Sequence, residues 1–158
     1  MKNISFIFIL LFCSFIMSSA YSIEGVNTVN TNESSQKIFT APATSLTITN
    51  SATLTRSGAK SVGIDNQNNG TLIVHSGSTV TTLAANGSNA VSATEQSGLT
   101  LTNSGTISAG NSKAIGLQNA QNSTVTNNAG GIIKSNTNTI TFNNTSWIIC
   151  NNGILSIL

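Results

Sequence analysis

Charge is scarce in this chain. Asp, Glu, Lys and Arg make up 6% of its 158 residues and the net charge is +2. Nucleic-acid binding needs clustered Lys and Arg, so this balance argues against a DNA or RNA partner. Cysteine occurs at Cys13 and Cys150 only. Cys13 lies in an apolar amino-terminal run, and its removal would leave Cys150 as a lone thiol with no intramolecular disulfide available. The fold must then rest on packing and backbone hydrogen bonds. No apolar stretch is long enough to span a bilayer comfortably, since the longest runs from Ile4 to Met17. With Lys2 before it and Ser18-Ser19-Ala20 after it, that run reads as a signal peptide cleaved after Ala20. An exported protein with no membrane span in the mature chain is expected.

What is present is a beat. An apolar residue centred in a Thr/Ser-rich segment recurs at Leu54, Val80, Ile107 and Ile133, at spacings of 26, 27 and 26. A second set, Ile48, Val74 and Leu101, runs in phase with the first three, each six residues ahead of its partner. A fixed period of this size marks a solenoid, in which one repeat cannot bury its apolar face alone. The 39% hydrophobic content at regular spacing, with low net charge, also departs from a disordered profile.

Each repeat holds three segments of alternating apolar and polar residues, the period-two signature of a half-buried strand. In the first repeat they are Leu46–Thr49, Thr53–Thr55 and Val62–Ile64; in the third they are Leu99–Thr102, Thr106–Ser108 and Ile115–Leu117. Turn residues such as Asn103-Ser104-Gly105 separate them. The expected fold is all-β: a right-handed parallel β-helix with three short strands per coil and about four and a half coils. Residues 1–20 form the leader, 21–44 a poorly structured lead, and 45–158 the β-helix. Leu, Ile and Val point inward; Thr, Ser, Asn and Lys point outward. The third strand carries the closest internal match, Lys60-Ser61-Val62-Gly63-Ile64 against Lys113-Ala114-Ile115-Gly116-Leu117. There Gly63 and Gly116 are expected to relieve crowding. The register of the fourth coil is open, with Val125 matching either Leu99 or Leu101.

The segment Trp147–Leu155 resembles Leu99–Ile107 and reads as the opening of a fifth coil. The chain then ends at Leu158, before that coil's third side, so a β-helix incomplete at its C-terminal end is expected. An uncapped coil exposes ladder hydrogen bonds and offers a route to self-association.

Three elements accompany the signal peptide and the period: Asn103-Ser104-Gly105-Thr106-Ile107, Ala114-Ile115-Gly116-Leu117 and Asn127-Asn128-Ala129-Gly130-Gly131-Ile132-Ile133. Together they resemble the passenger region of bacterial autotransporters, over about the last two-thirds of the chain. The resemblance implies a right-handed β-helix displayed outside a Gram-negative cell, commonly as an adhesin whose partner is a host surface, matrix or glycan. The C-terminal translocator barrel of that family has no counterpart in this sequence.

Chemistry is harder to place. β-Helical polysaccharide lyases and hydrolases need clustered carboxylates. Here the acids are Glu24, Glu33, Asp65 and Glu95, the first two in the lead and the others following third strands in adjacent coils. His75, the single histidine, reads as an outward surface residue with no ligand partner spaced to join it. No Gly-x-Ser-x-Gly elbow is present. Trp147 reads as a core or end-cover residue. No catalytic, cofactor-binding or metal site is expected, and no cofactor. The sequons Asn69-Gly70-Thr71 and Asn122-Ser123-Thr124 are what this composition generates by chance. A competing reading comes from the Thr-x-Thr pairs Thr47/Thr49, Thr100/Thr102 and Thr139/Thr141. Ranks of outward threonines resemble some ice-binding β-helices, although Ile73 and His75 interrupt this one. Threonine on exposed strands also follows from β-propensity alone.

Overall fold

Alternating apolar and hydroxyl side chains have one economical solution when the alternation repeats every 24–29 residues: each short strand lies on its equivalent in the coil before, and the apolar columns face inward. A computed structural model takes this form. It describes residues 20–41, 44–57, 63–83, 89–94, 98–143 and 147–157. Of the leader expected at 1–20, only Ala20 falls within the described residues.

The chain opens with β1 (Ala20–Ile23), β2 (Val26–Val29) and β3 (Gln36–Phe39). The first repeat supplies β4 (Ser45–Ile48), β5 (Thr53–Arg56) and β6 (Ile64–Asn66), and the second β7 (Gly70–Val74), β8 (Thr79–Thr82) and β9 (Val91–Thr94). The third gives β10 (Leu99–Asn103), β11 (Thr106–Ala109) and β12 (Ile115–Gln118). The fourth gives β13 (Ser123–Asn127), β14 (Ile132–Ser135) and β15 (Ile140–Asn143), before β16 (Trp147–Asn151) and β17 (Ile154–Ile157).

These strands form three parallel sheets. Sheet I runs β2-β4-β7-β10-β13-β16, sheet II β5-β8-β11-β14-β17, and sheet III β1-β3-β6-β9-β12-β15. The fold is therefore an all-β parallel solenoid with three strands per coil, as the periodicity predicts. The four repeats beginning at Ser45 occupy β4 to β15, with β16 and β17 continuing sheets I and II.

The core is a set of stacked columns. Leu54, Val80, Ile107 and Ile133 pair in register along sheet II, as their spacing requires, and all are buried. Leu46, Leu72, Leu101 and Val125 do the same in sheet I; in sheet III, Ile64, Val91 and Ile115 are buried in register and the partly buried Ile140 stacks on Ile115. Each fully buried Leu, Ile or Val contributes about 1.5–3 kcal/mol relative to exposure.

The structure corrects three expectations. Leu101 pairs with Leu72, not Val74; Asn103 lies over Val74 instead. The cause is a shorter corner. Four residues (75–78) link β7 to β8, but only Ser104 and Gly105 link β10 to β11, so the constant six-residue offset between sheets I and II is broken. The same register settles the fourth coil, where Val125 pairs with Leu101. In sheet III, Ile64 pairs with Val91 and Val91 with Ile115, so Gly63 is not the counterpart of Gly116. Gly63 sits at the corner before β6, where an added Cβ would lie 2.7 Å from the Ala90 carbonyl oxygen. Val62 lies outside the described residues.

The third correction concerns the lead. Residues 21–44 carry most of β1 and all of β2 and β3, which add rungs to sheets III and I. Val29 stacks below Ile48 and is buried, as is Phe39. Phe39 is one reason Gly70 is glycine, because a Cβ there would run into the Phe39 ring. Low apolar content hid this segment from a hydrophobic count. Val29 and Phe39 nevertheless take inward positions, whereas Tyr21 and Val26 are exposed.

Candidate functional site

Alternation that fills the core with Leu and Ile leaves the alternate positions on flat outer faces. On sheet I, one outward column runs Ser45, Thr71, Thr100, Thr124, and its neighbour runs Thr28, Thr47, Ile73, Thr102, Thr126, Cys150. Sheet II presents Thr53, Thr79, Thr106, Ile132 beside Thr55, Thr81, Ser108, Lys134. Successive rungs are about 4.8 Å apart, and residues two apart on one strand are about 6.6 Å apart. Two adjoining faces thus carry a rectangular lattice of hydroxyls. Within it, the Ser108 and Thr81 hydroxyls hydrogen-bond each other at 2.8 Å.

The threonine pairs read from the sequence do not form one rank. Thr100/Thr102 lies on β10, while Thr47 sits on β4 with Thr49 just past its end. Thr139 precedes β15 on sheet III and is buried, its hydroxyl donating to the Ser156 carbonyl at 2.8 Å. The lattice is nonetheless broader than those pairs, because Thr71, Thr124 and Thr126 join it. His75 is not on a strand: it is exposed in the corner after β7, so Ile73 alone interrupts the sheet I columns among its central rungs.

The acids are separate. Glu24 is exposed between β1 and β2. Glu33 pairs with Lys37 and accepts from Ser35 Oγ at 3.1 Å, while its backbone bridges to Leu54. Lys37 also stands 5.4 Å from the centre of the Tyr21 ring. Asp65 lies on β6 itself, facing outward, and accepts from Gln67 Nε2 at 3.0 Å. Glu95 falls outside the described residues, so its approach to Asp65 does too. Among the described residues, no three His, Cys, Asp or Glu side chains are grouped as a metal site would need. Cys150 is an exposed free thiol on the outward side of β16. Trp147 opens β16, with its side chain outside the described set.

Hydrophobic counting also missed an asparagine column, buried at Asn103 and Asn127 and exposed at Asn151. Val29, Ile48 and Val74 are followed in sheet I by Asn103, Asn127 and Asn151. Asn103 Nδ2 donates to Asn127 Oδ1 at 2.8 Å, and Asn127 Nδ2 to Asn151 Oδ1 at 2.9 Å. The signal for it was the Asn-x-Gly at the ends of β10 and β16.

Compared with known proteins, the chain matches no protein-family model, no curated protein and no solved structure.

Proposed function

We propose that this chain is an exported, non-catalytic β-solenoid that works as a binding scaffold, with the hydroxyl lattice of sheets I and II as its contact surface. The observation that carries the reading is that lattice: two adjoining flat faces in which Thr and Ser recur rung after rung, with Lys134 the one charged side chain in the paired columns. A flat, hydrogen-bonding surface with a single charge suits extended polar partners such as matrix or glycan chains, and it needs no enclosed pocket. The role is the one that resemblance to autotransporter passengers implies, at the surface of a Gram-negative cell. The test is adsorption of the purified chain to cells, matrix proteins and glycan arrays. Saturable binding is expected, and its loss in a Thr71→Lys/Thr100→Lys/Thr124→Lys variant with an unchanged circular dichroism spectrum. Absence of binding to every surface, or binding that survives the triple substitution, overturns it.

A second reading, ordered-water or ice binding, is favoured by one observation. The column Ser45-Thr71-Thr100-Thr124 is unbroken over four rungs, with Val26 and Ile148 next in register at its two ends, and its neighbour is interrupted in the central rungs at Ile73 alone. Absence of thermal hysteresis in solutions of the purified chain disposes of this reading.

A further inference from the structure

Sheet III differs from the other two sides, because its outer face is not a row of hydroxyls. Its middle outward column runs Ile38, Asp65, Ser92, Gly116, Thr141. At Gly116 the column lacks a side chain, and a cavity of about 200 Å³ opens there. Gly116 lines it together with Asn89, Ser92, Lys113, Leu117, Gln118 and Thr141.

Gly116 is required for this arrangement. A Cβ on it would collide with the carboxamide of Asn89, Nδ2 first. Asn89 is held from its other end, since the buried Ser112 donates from Oγ to Asn89 Oδ1 at 3.1 Å. The carbonyl end of the amide is therefore engaged, and the N–H end is the part that lies against Gly116.

The chemistry of the lining narrows the ligand. Lys113 supplies one positive charge and Asn89 a positioned N–H donor, while Ser92, Thr141 and Gln118 both donate and accept. Among the described residues, no carboxylate lines the cavity. One cation beside an oriented donor suits a singly charged oxyanion, because hydrogen bonds to an ionised acceptor are the stronger kind. The surrounding hydroxyl and amide groups suit a polyhydroxylated ring. The volume is below the roughly 300–1,000 Å³ of drug-sized pockets, which limits the occupant to about one ring.

We propose that the Gly116 cavity binds a single acidic sugar unit of the uronate class, its carboxylate taken by Lys113 and Asn89 Nδ2. This site lies on sheet III and stands apart from the hydroxyl faces of sheets I and II, so either assignment can fail without the other.

The test is a ¹H–¹⁵N NMR titration of the full chain with D-glucuronate, with D-glucose as the neutral control. Saturable shifts at Asn89, Lys113 and Gly116 are expected, with glucose binding about tenfold weaker for want of the charged group. Lys113→Gln, a half-buried rim substitution, is expected to weaken glucuronate by about tenfold with the remaining spectrum intact. Gly116→Ala is expected to abolish the shifts by displacing Asn89. Failure of glucuronate to saturate, equal response to glucose, or undiminished affinity in Lys113→Gln overturns the proposal, whatever Gly116→Ala does to folding.

Discussion

Asn127 receives a hydrogen bond on Oδ1 from the Nδ2 of Asn103, 2.8 Å away, and both side chains are buried. Each asparagine also closes its own corner. Asn103 Oδ1 accepts from the Gly105 amide at 3.2 Å, and Asn127 Nδ2 donates to the Gly131 carbonyl at 3.2 Å. The column thus fastens sheet I to the turn that leads into sheet II while linking three successive coils. A buried polar column of this kind is favourable only while every member is satisfied.

Asn127→Ala should therefore destabilise the chain by about 3 kcal/mol, since it strips partners from Asn103, Asn151 and Gly131 together. Asn127→Leu should recover none of that loss, because Asn103 separates position 127 from the apolar Ile48–Val74 column. Urea denaturation followed by circular dichroism measures both. An Asn127→Leu variant as stable as the parent would show that the ladder is dispensable.

The same column explains what the sequence could and could not show. Sheet II was legible because Leu54, Val80, Ile107 and Ile133 are all apolar and their spacing hardly varies. Sheet I was misread by two residues at Leu101. An inward position filled by Asn103 carries no hydrophobic signal, and the nearest apolar residue took its place in the count. Sheet III was misread at Gly63 because a resemblance of five residues outweighed the inward demand of Ile64. The hydroxyl faces were visible as Thr-x-Thr pairs. Their extent depended on the register, and so did the placement of His75 in a corner. The Gly116 cavity needs Asn89 to reach across from a neighbouring coil, which a pattern within one strand does not reveal.

The corrected register has a direct chemical test. Ile73 and Thr102 are paired in sheet I, whereas alignment of Leu101 with Val74 would have paired His75 with Thr102. Disulfide closure needs Cα atoms about 4.4–6.8 Å apart. In a Cys150→Ser background, Ile73→Cys/Thr102→Cys should oxidise to an intramolecular crosslink, detected as a thiol-dependent gel shift and by mass spectrometry. His75→Cys/Thr102→Cys should remain reduced under the same conditions. The opposite outcome would return Leu101 to the Val74 column.

Burial separates two aliphatic residues on the same sheet. Leu101 is fully buried between Leu72 and Val125, while Val26 on β2 is 85% exposed. Leu101→Ala should cost about 3 kcal/mol through lost transfer energy and the cavity left behind. Val26→Thr should stay within about 0.5 kcal/mol of the parent. Comparable losses at the two sites in chemical denaturation would contradict the inward and outward assignment of sheet I.

Gly105 tests the tight corner most sharply. It has no left-handed backbone to explain it, in contrast to Gly77 at φ +79° and Gly130 at φ +82° in the longer corners of neighbouring coils. Its constraint is one of contact. A Cβ at Gly105 would run into the carbonyl oxygens of His75 and Ser78, which belong to the coil below. The Gly105 carbonyl in turn accepts from Ile132 at 2.8 Å in the coil above. Gly105→Ala must then push two coils apart at one corner, straining the ladder bonds on either side of it. A loss of about 1–3 kcal/mol is expected, as for overpacking in a filled core. Gly130→Ala has open space for its methyl group, and its penalty should be the left-handed backbone alone, about 1–2 kcal/mol. Hydrogen exchange distinguishes the two mechanisms. Gly105→Ala should accelerate exchange of the Ser104, Thr106 and Ile132 amides on both sides of the corner, while Gly130→Ala should leave the amides of β10 and β11 protected. Equal exchange in the two variants would show that coil-to-coil contact at Gly105 is not what fixes the two-residue turn.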